Sequence, residues 1–305
     1  MLAFDQRNSF KKGLFGIDGM PSAAQIAKIA DCKLAIFEGL QLAVSDGVRL
    51  SSAGLLVDEE FGAEVARAAK AEGYTLAMAV EESGRTDFDF EYGAAFAEHI
   101  EAFDPDYAKV LVRYNPDGDR ALNTAQLARL ARLSKWLRGQ GRRLLFELLV
   151  PAEPAQLEKV YGDLDRYDRE VRPGLTVEAM AELQAAGIEP DIWKIEGMDR
   201  RKDYARAYEQ ARAGGRDQVA CIVLGRGATQ AQVGDWLRQE AGVTGFIGFA
   251  VGRTIWQQPL EDWLARKVDR SAAVRLIADS YVHFVRVFES ARVSPVADTD
   301  AETKR

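Results

Sequence analysis

Cysteine and histidine are both nearly missing from this chain: 305 residues contain two of each, Cys32 and Cys221, His99 and His283. Two isolated thiols make neither a disulfide framework nor a zinc knuckle, so the natural setting is a reducing cytoplasm. No apolar run reaches the length of a membrane span. The start, Met1-Leu-Ala-Phe-Asp-Gln-Arg7, lacks the charged head and long apolar stretch of a secretion signal. A large excess of positive charge is also lacking. The net charge is -7, with both signs mixed throughout, which argues against nucleic acid or an acidic membrane as the main partner. Internal repeats and low-complexity segments are absent. No glycine-rich dinucleotide turn follows the first apolar run, where Asp5-Gln-Arg-Asn8 stands instead.

What is present is a hydrophobic content of 47%, enough for a sizeable core, distributed as short apolar runs that alternate with helical patterns. Eight runs read as strands: Leu2–Asp5, Ala53–Val57, Thr75–Val80, Ala108–Arg113, Leu144–Leu149, Ile192–Ile195, Ala220–Leu224 and Phe246–Val251. Between them apolar residues recur three and four apart, as in Glu60–Ala71 and in Thr124–Leu137, where Leu127, Leu130, Leu133 and Leu137 share a face. Gly73 and Gly187 sit where helix-ending glycines belong. Residues 271–292 read as a closing helix with a stripe of Val274, Ile277, Tyr281, Phe284 and Phe288. Eight βα units without a linker predict an α/β fold, a single (β/α)₈ TIM barrel over residues 1–292, with 293–305 as a polar, flexible tail. An open doubly wound sheet also alternates this way, so the count favours the barrel without deciding it.

In such a barrel the polar residues at the C-terminal strand ends are the catalytic candidates, and strand alternation says which of them face inward. Trp193 and Ile195 belong against the helices, which turns Lys194 and Glu196 into the barrel. By the same rule Glu147 faces in from the fifth strand, Lys109 and Arg113 from the fourth, and Asp5 from the end of the first. Asp5, Lys109, Glu147 and Lys194 should therefore share one interior. The plain reading is a structural ion-pair network. The chemical reading is imine formation, for which a lysine must be neutral, although the ordinary pKa of about 10.4 leaves little neutral amine at pH 7. Lys109 beside Lys194 would supply a cation that disfavours protonation, and Glu147 would carry protons. The protonated imine is the electron sink, so neither a metal nor a cofactor is expected. Zinc chemistry needs imidazoles, and both histidines fall in helical stretches as surface or packing residues. Magnesium on Asp58, Glu59 and Glu60 is a minor alternative.

The last two strands suggest an anion. Gly225, Arg226 and Gly227 follow the seventh, Gly252 and Arg253 the eighth, and these are the loops in which barrels commonly hold phosphate. The loop from Asn115 to Asp119 reads as a turn and helix entry, and 162–172 as a solvated βα loop or a lid.

At these residues a resemblance enters. The stretches Ala3-Phe-Asp-Gln-Arg7, Leu55-Leu-Val-Asp-Glu-Glu-Phe-Gly62, Ala108-Lys109 with Asp117-Gly-Asp119, Phe146-Glu147 and Trp193-Lys-Ile-Glu196 resemble the class I aldolases related to tagatose-1,6-bisphosphate and sulfofructose-phosphate aldolases. The opening Phe4-Asp-Gln-Arg-Asn-Ser-Phe10 and the turn Leu224–Ala228 are most similar to the 2-deoxy-5-keto-gluconate 6-phosphate aldolase domain of myo-inositol catabolism. Arg226 departs from the serine-glycine turn of the tagatose enzymes. The resemblance implies Lys194 as Schiff-base lysine, Glu147 as proton shuttle, and Lys109 and Asp5 as supporting groups. It further implies Gln6, Arg7, the 225–227 turn, Gly252 and Arg253 around a phosphorylated sugar, with cleavage to dihydroxyacetone phosphate and malonate semialdehyde. A homo-oligomer follows by analogy. Other ketose phosphates, or a barrel that binds a phosphosugar without turning it over, remain alternatives.

Overall fold

The computed structural model describes residues 1–293. Eight parallel strands form one sheet in sequence order: β1 (Leu2–Ala3), β2 (Gly54–Val57), β3 (Thr75–Ala79), β4 (Tyr107–Arg113), β5 (Arg143–Leu149), β6 (Ile192–Glu196), β7 (Ala220–Leu224) and β8 (Phe246–Ala250). A parallel bridge between Leu2 and Val251, with the Ala3 amide donating to the Val251 carbonyl at 2.9 Å, joins the last strand to the first. The sheet therefore closes, and the open doubly wound alternative is excluded. The strands match the sequence reading to within two residues at each end. Among the described residues twelve helices surround them: α1 (Asn8–Phe15), α2 (Ala23–Ser45), α3 (Glu59–Ala71), α4 (Phe96–Phe103), α5 (Arg120–Gly139), α6 (Pro154–Lys159), α7 (Leu164–Glu170), α8 (Arg172–Ala185), α9 (Arg201–Arg212), α10 (Gln230–Glu240), α11 (Arg253–Leu264) and α12 (Arg270–Val293).

Strand alternation divides the core in two. Leu55, Val57, Val110, Val112, Phe146, Leu148, Trp193, Ile195, Cys221 and Val223 pack outward against the helices. Ala3, Leu56, Ala77, Leu145, Ile192, Ile222 and Ala250 form a separate plug on the barrel axis. Small and branched side chains meet there because eight strands leave room for filled layers and no pore. The ionisable residues occupy the next layer towards the strands' C-terminal ends.

The helix ends follow the sequence signals. Gly73 and Gly187 both have φ +81°, and the next amides, Tyr74 and Ile188, reach back to Ala69 and Leu183 at 3.0 and 3.2 Å. A side chain is disfavoured at that φ, so glycine ends each helix. The five expected stripe residues of α12 are all buried. Two features differ from expectation. The 23-residue α2, opened by a Ser22–Gln25 capping box, escaped the reading because its exposed first turns carry no clean apolar stripe. The segment 162–172 is largely helical where a loop was expected; it is mostly solvent-exposed, with Tyr167 buried and donating to the Val150 carbonyl at 3.0 Å. The predicted tail lies outside the described residues, except Val293, which ends α12.

Candidate active site

Lys194 stands at the centre of β6 with Trp193 and Ile195 turned out into the helical layer, and its side chain is only 3% exposed. Glu147 is its register partner on β5. Glu147 Oε1 lies 2.9 Å from Lys194 Nζ, while Oε2 lies 3.0 Å from Lys109 Nζ. Lys109, wholly buried on β4, also donates to Asp5 Oδ2 and to Glu81 Oε1, both at 2.7 Å. Asp5, Lys109, Glu147 and Lys194 thus meet in one interior, as expected. Arg113 does not join them: it is exposed at the end of β4 and donates to the Arg85 carbonyl.

Burial opposes ionisation of Asp5, but the charges of Lys109 and Lys194 outweigh it and bring the carboxyl down to about 2. The same contest holds Glu147 below the usual carboxylate range. For Lys109 burial acts against charge, and the three carboxylates around it prevail, so it stays protonated. This amends the sequence expectation. Lys109 is no bare cation beside Lys194, because Asp5, Glu81 and Glu147 offset it.

Glu81 is the member that sequence reasoning missed. Two residues beyond β3, it continues the inward alternation of Ala77 and Ala79, a signal lost by ending the strand at Val80. A bridge to Phe90 pins its backbone, Oε1 is on Lys109, and Oε2 is buried without a partner. Burial raises its carboxyl pKa above the ordinary value despite Lys109 and Arg7. A second missed pair is Lys33 of α2 with Asp58 at the end of β2, both wholly buried. Lys33 also donates to the carbonyls of Phe4 and Gln6 at 2.7 and 3.0 Å, tying α2 to the turn after β1.

The expected anion-binding residues divide into two groups. Gly225, Gly227, Gly252 and Arg253 come together: a Cβ on Gly227 would fall 2.9 Å from the Arg253 guanidinium, and Thr254 Oγ1 donates to the Ala228 carbonyl at 2.9 Å. Gly252 precedes α11 and gives it no side-chain cap, so the first amides of that helix lack a side-chain acceptor, beside the exposed Arg253. Arg226, at φ +50°, turns to Asp168 Oδ2 (2.6 Å) and Glu196 Oε1 (3.1 Å) instead. Arg7 is a correction. Its guanidinium is buried and committed to Glu91 Oε2 and the Glu81 carbonyl, both at 2.6 Å, which makes it a brace for the ring and not a phosphate ligand. Gln6 is half-buried, with Nε2 at 3.4 Å from Asp5 Oδ1 and Oε1 unpartnered.

Among the described residues no three His, Cys, Asp or Glu side chains are grouped to hold a metal. Asp58 caps α3 through the Phe61 amide and pairs with Lys33, while Glu59 holds His99, which stacks on Tyr92 at 3.5 Å between centroids. Of the three carboxylates considered for magnesium, Asp58 and Glu59 are thus engaged by other partners, and Glu60 is exposed. His283 is exposed on α12. A cavity of about 700 Å³ opens at the barrel's opposite end, lined by Met1, Thr75, Tyr107, Ile192 and Ile222 among others, and shares no residue with the ring.

A family model described as "Uncharacterized protein conserved in bacteria (DUF2090)" matches residues 1–292. No curated protein matches the sequence. Solved structures do. The fructose-bisphosphate aldolase from Plasmodium falciparum, solved with TRAP and a small-molecule inhibitor, superposes with a TM-score of 0.66 at 14% identity, over 94% of this chain and 89% of that one. An archaeal fructose 1,6-bisphosphate aldolase gives 0.54 at 15%, over 92% of each chain. A Schiff-base-forming fructose-1,6-bisphosphate aldolase gives 0.53 at 16%, over 91% of this chain and 92% of that one. At such identities the likeness is one of fold.

Proposed function

The chain belongs to the DUF2090 family, and from that premise and the ring of charges inside its barrel we propose that it is a class I aldolase acting on a phosphorylated keto-sugar. One observation carries the reading: a lysine 3% exposed inside the barrel, 2.9 Å from a buried glutamate and at the strand ends where barrel enzymes do chemistry. The aldolase fold of the solved relatives supports it. A buried ion-pair network alone would be a costly way to fill a core that Leu, Ile and Val fill elsewhere.

The steps follow from the chemistry of the ring. Lys194 passes a proton to Glu147, the neutral Nζ adds to the substrate ketone, and Glu147 returns the proton to the resulting hydroxyl, which leaves as water to give the iminium. A hydroxyl on the second carbon beyond then gives its proton to the Glu147 carboxylate, the bond between that carbon and its neighbour next to the iminium breaks to release an aldehyde, and the electron pair flows into the iminium to give an enamine. Protonation and hydrolysis release the ketone product and restore Lys194. The amides at the start of α11, the Gly225–Gly227 turn and Arg253 are the groups suited to the phosphate. The resemblance in sequence makes 2-deoxy-5-keto-gluconate 6-phosphate the first substrate to try, with tagatose and sulfosugar phosphates next.

Borohydride reduction in the presence of dihydroxyacetone phosphate tests this directly. A stable adduct should map to Lys194, form equally with a chelator present, and disappear in Lys194→Met. A wild-type protein that acquires no adduct on Lys194 would sink the reading.

A further inference from the structure

We propose that Glu81 is a positioning residue that stores the proton Lys194 gives up on becoming a nucleophile, keeping that proton inside the barrel. The inference rests on the aldolase reading above.

The argument is one of charge. Three cations, Arg7, Lys109 and Lys194, face three carboxylates, Asp5, Glu81 and Glu147, all buried. With every group ionised these six charges sum to zero, and Glu91, 2.6 Å from Arg7 at the edge of the ring, adds one negative charge. Sending the Lys194 proton to bulk water would add a further negative charge to a largely buried site, which is expensive. Moving it onto one of the ring's own carboxylates creates no charge. Asp5 is the wrong acceptor, since it receives a 2.7 Å hydrogen bond from Lys109 and feels Lys194 as well. Glu147 lies between two lysines and must be free to shuttle. Glu81 remains. Lys109 from β4 touches only its Oε1, and Arg7 from the turn after β1 stands off at 3.8 Å with its nearest charge on Glu91. Asp5 adds negative charge from just past β1, and the second oxygen is buried with no partner. An orphaned oxygen costs less as part of a neutral acid than as part of a carboxylate.

A path exists. Lys194 passes a proton to Glu147 across 2.9 Å; Lys109 releases one to Glu81 across 2.7 Å and recovers one from Glu147 across 3.0 Å. The net change is Lys194 ammonium plus Glu81 carboxylate to Lys194 amine plus Glu81 acid, with Lys109 and Glu147 unchanged. At neutral pH the unliganded protein holds the proton on Glu81, and hydrolysis of the imine returns it there.

The test compares wild type, Glu81→Gln and Glu81→Asp by the rate of borohydride-trapped adduct formation across pH. Glutamine has the shape and charge of the protonated acid and can still accept from Lys109, but it holds no proton to return when the carbinolamine loses water. Its rate should fall about a hundredfold at neutral pH, as expected for losing a stored proton, and approach the wild-type rate as pH falls and bulk water supplies the proton. Aspartate should restore part of the rate. A Glu81→Gln rate equal to wild type, or lowered by one factor at every pH, would overturn the proposal, the second outcome marking a structural role. Absence of any wild-type adduct would instead defeat the aldolase reading. Carboxyl ¹³C NMR of the unliganded protein then still decides on Glu81: a protonated signal at neutral pH, missing in Glu81→Gln, is expected, and an ionised Glu81 overturns the assignment.

Discussion

Glu147 bridges two lysines through its two oxygens, so its removal separates chemistry from packing more cleanly than any other change in the ring. In Glu147→Gln the amide oxygen can still accept from one lysine, and the shape is kept. Turnover on a cleaved substrate should drop on the order of 10²–10⁴-fold, the usual share of a proton-transfer group, with the circular dichroism spectrum unchanged. Unchanged turnover would remove it from the mechanism. Much at this scale was readable beforehand, because Lys194, Glu147, Lys109 and Asp5 each sit in an apolar run whose alternation dictates the inward face. Glu81 and Lys33 were not. Glu81 lies just past its strand, and Lys33 looks like an ordinary helical lysine until α2 is packed against the turn after β1. Arg7 shows the converse error. A basic residue beside Asp5 looks like a ligand for phosphate, and folding gives its charge to Glu91 and Glu81.

Where elements join, glycine carries the geometry. Gly252 links β8 to α11 beside the end of β1, and a Cβ there would lie 2.1 Å from the Ala3 carbonyl oxygen, which Trp256 Nε1 also contacts at 2.9 Å. Backbone on one side and a buried indole on the other leave nothing able to yield. Gly252→Ala should therefore force β8 and β1 apart at the barrel's closing seam. The expected loss is about 1–3 kcal/mol, the range of an overpacked core, measured by urea denaturation. An unaffected midpoint would mean that the seam is looser than drawn. Element boundaries were read well for strands and poorly for α6 and α7. In 162–172 charged residues occupy most positions, and only the burial of Tyr167 and Arg172 against β5 and the end of β6 reveals which side faces in.

For the molecule as a whole, the charged layer sits above an apolar plug, and ionisation of the ring is coupled to folding. Asp5 has an ordinary pKa of 3.8 in the unfolded chain and about 2 in the fold. Its folded value is depressed, so the stabilisation is fully present above the unfolded value and is lost as pH falls through the folded one. Between about pH 4 and pH 2 the wild type should therefore lose stability more steeply than Asp5→Asn, as followed by thermal melts in that window. Parallel curves would show that Asp5 is not ion-paired in solution.

Local chemistry settled a good deal before folding was considered. Apolar runs of strand length, helical spacing between them and glycines at helix ends are properties of neighbouring residues, and they specify eight βα units and the inward face of each strand. Tertiary structure alone decided which charges meet. The contacts of Glu81 with Lys109 and Arg7, of Lys33 with Asp58, and of Arg226 with Asp168 and Glu196 span 25 to 74 positions in the chain. Only closure of the barrel brings such groups within reach, and it is burial together with those partners that determines which of them keeps its proton.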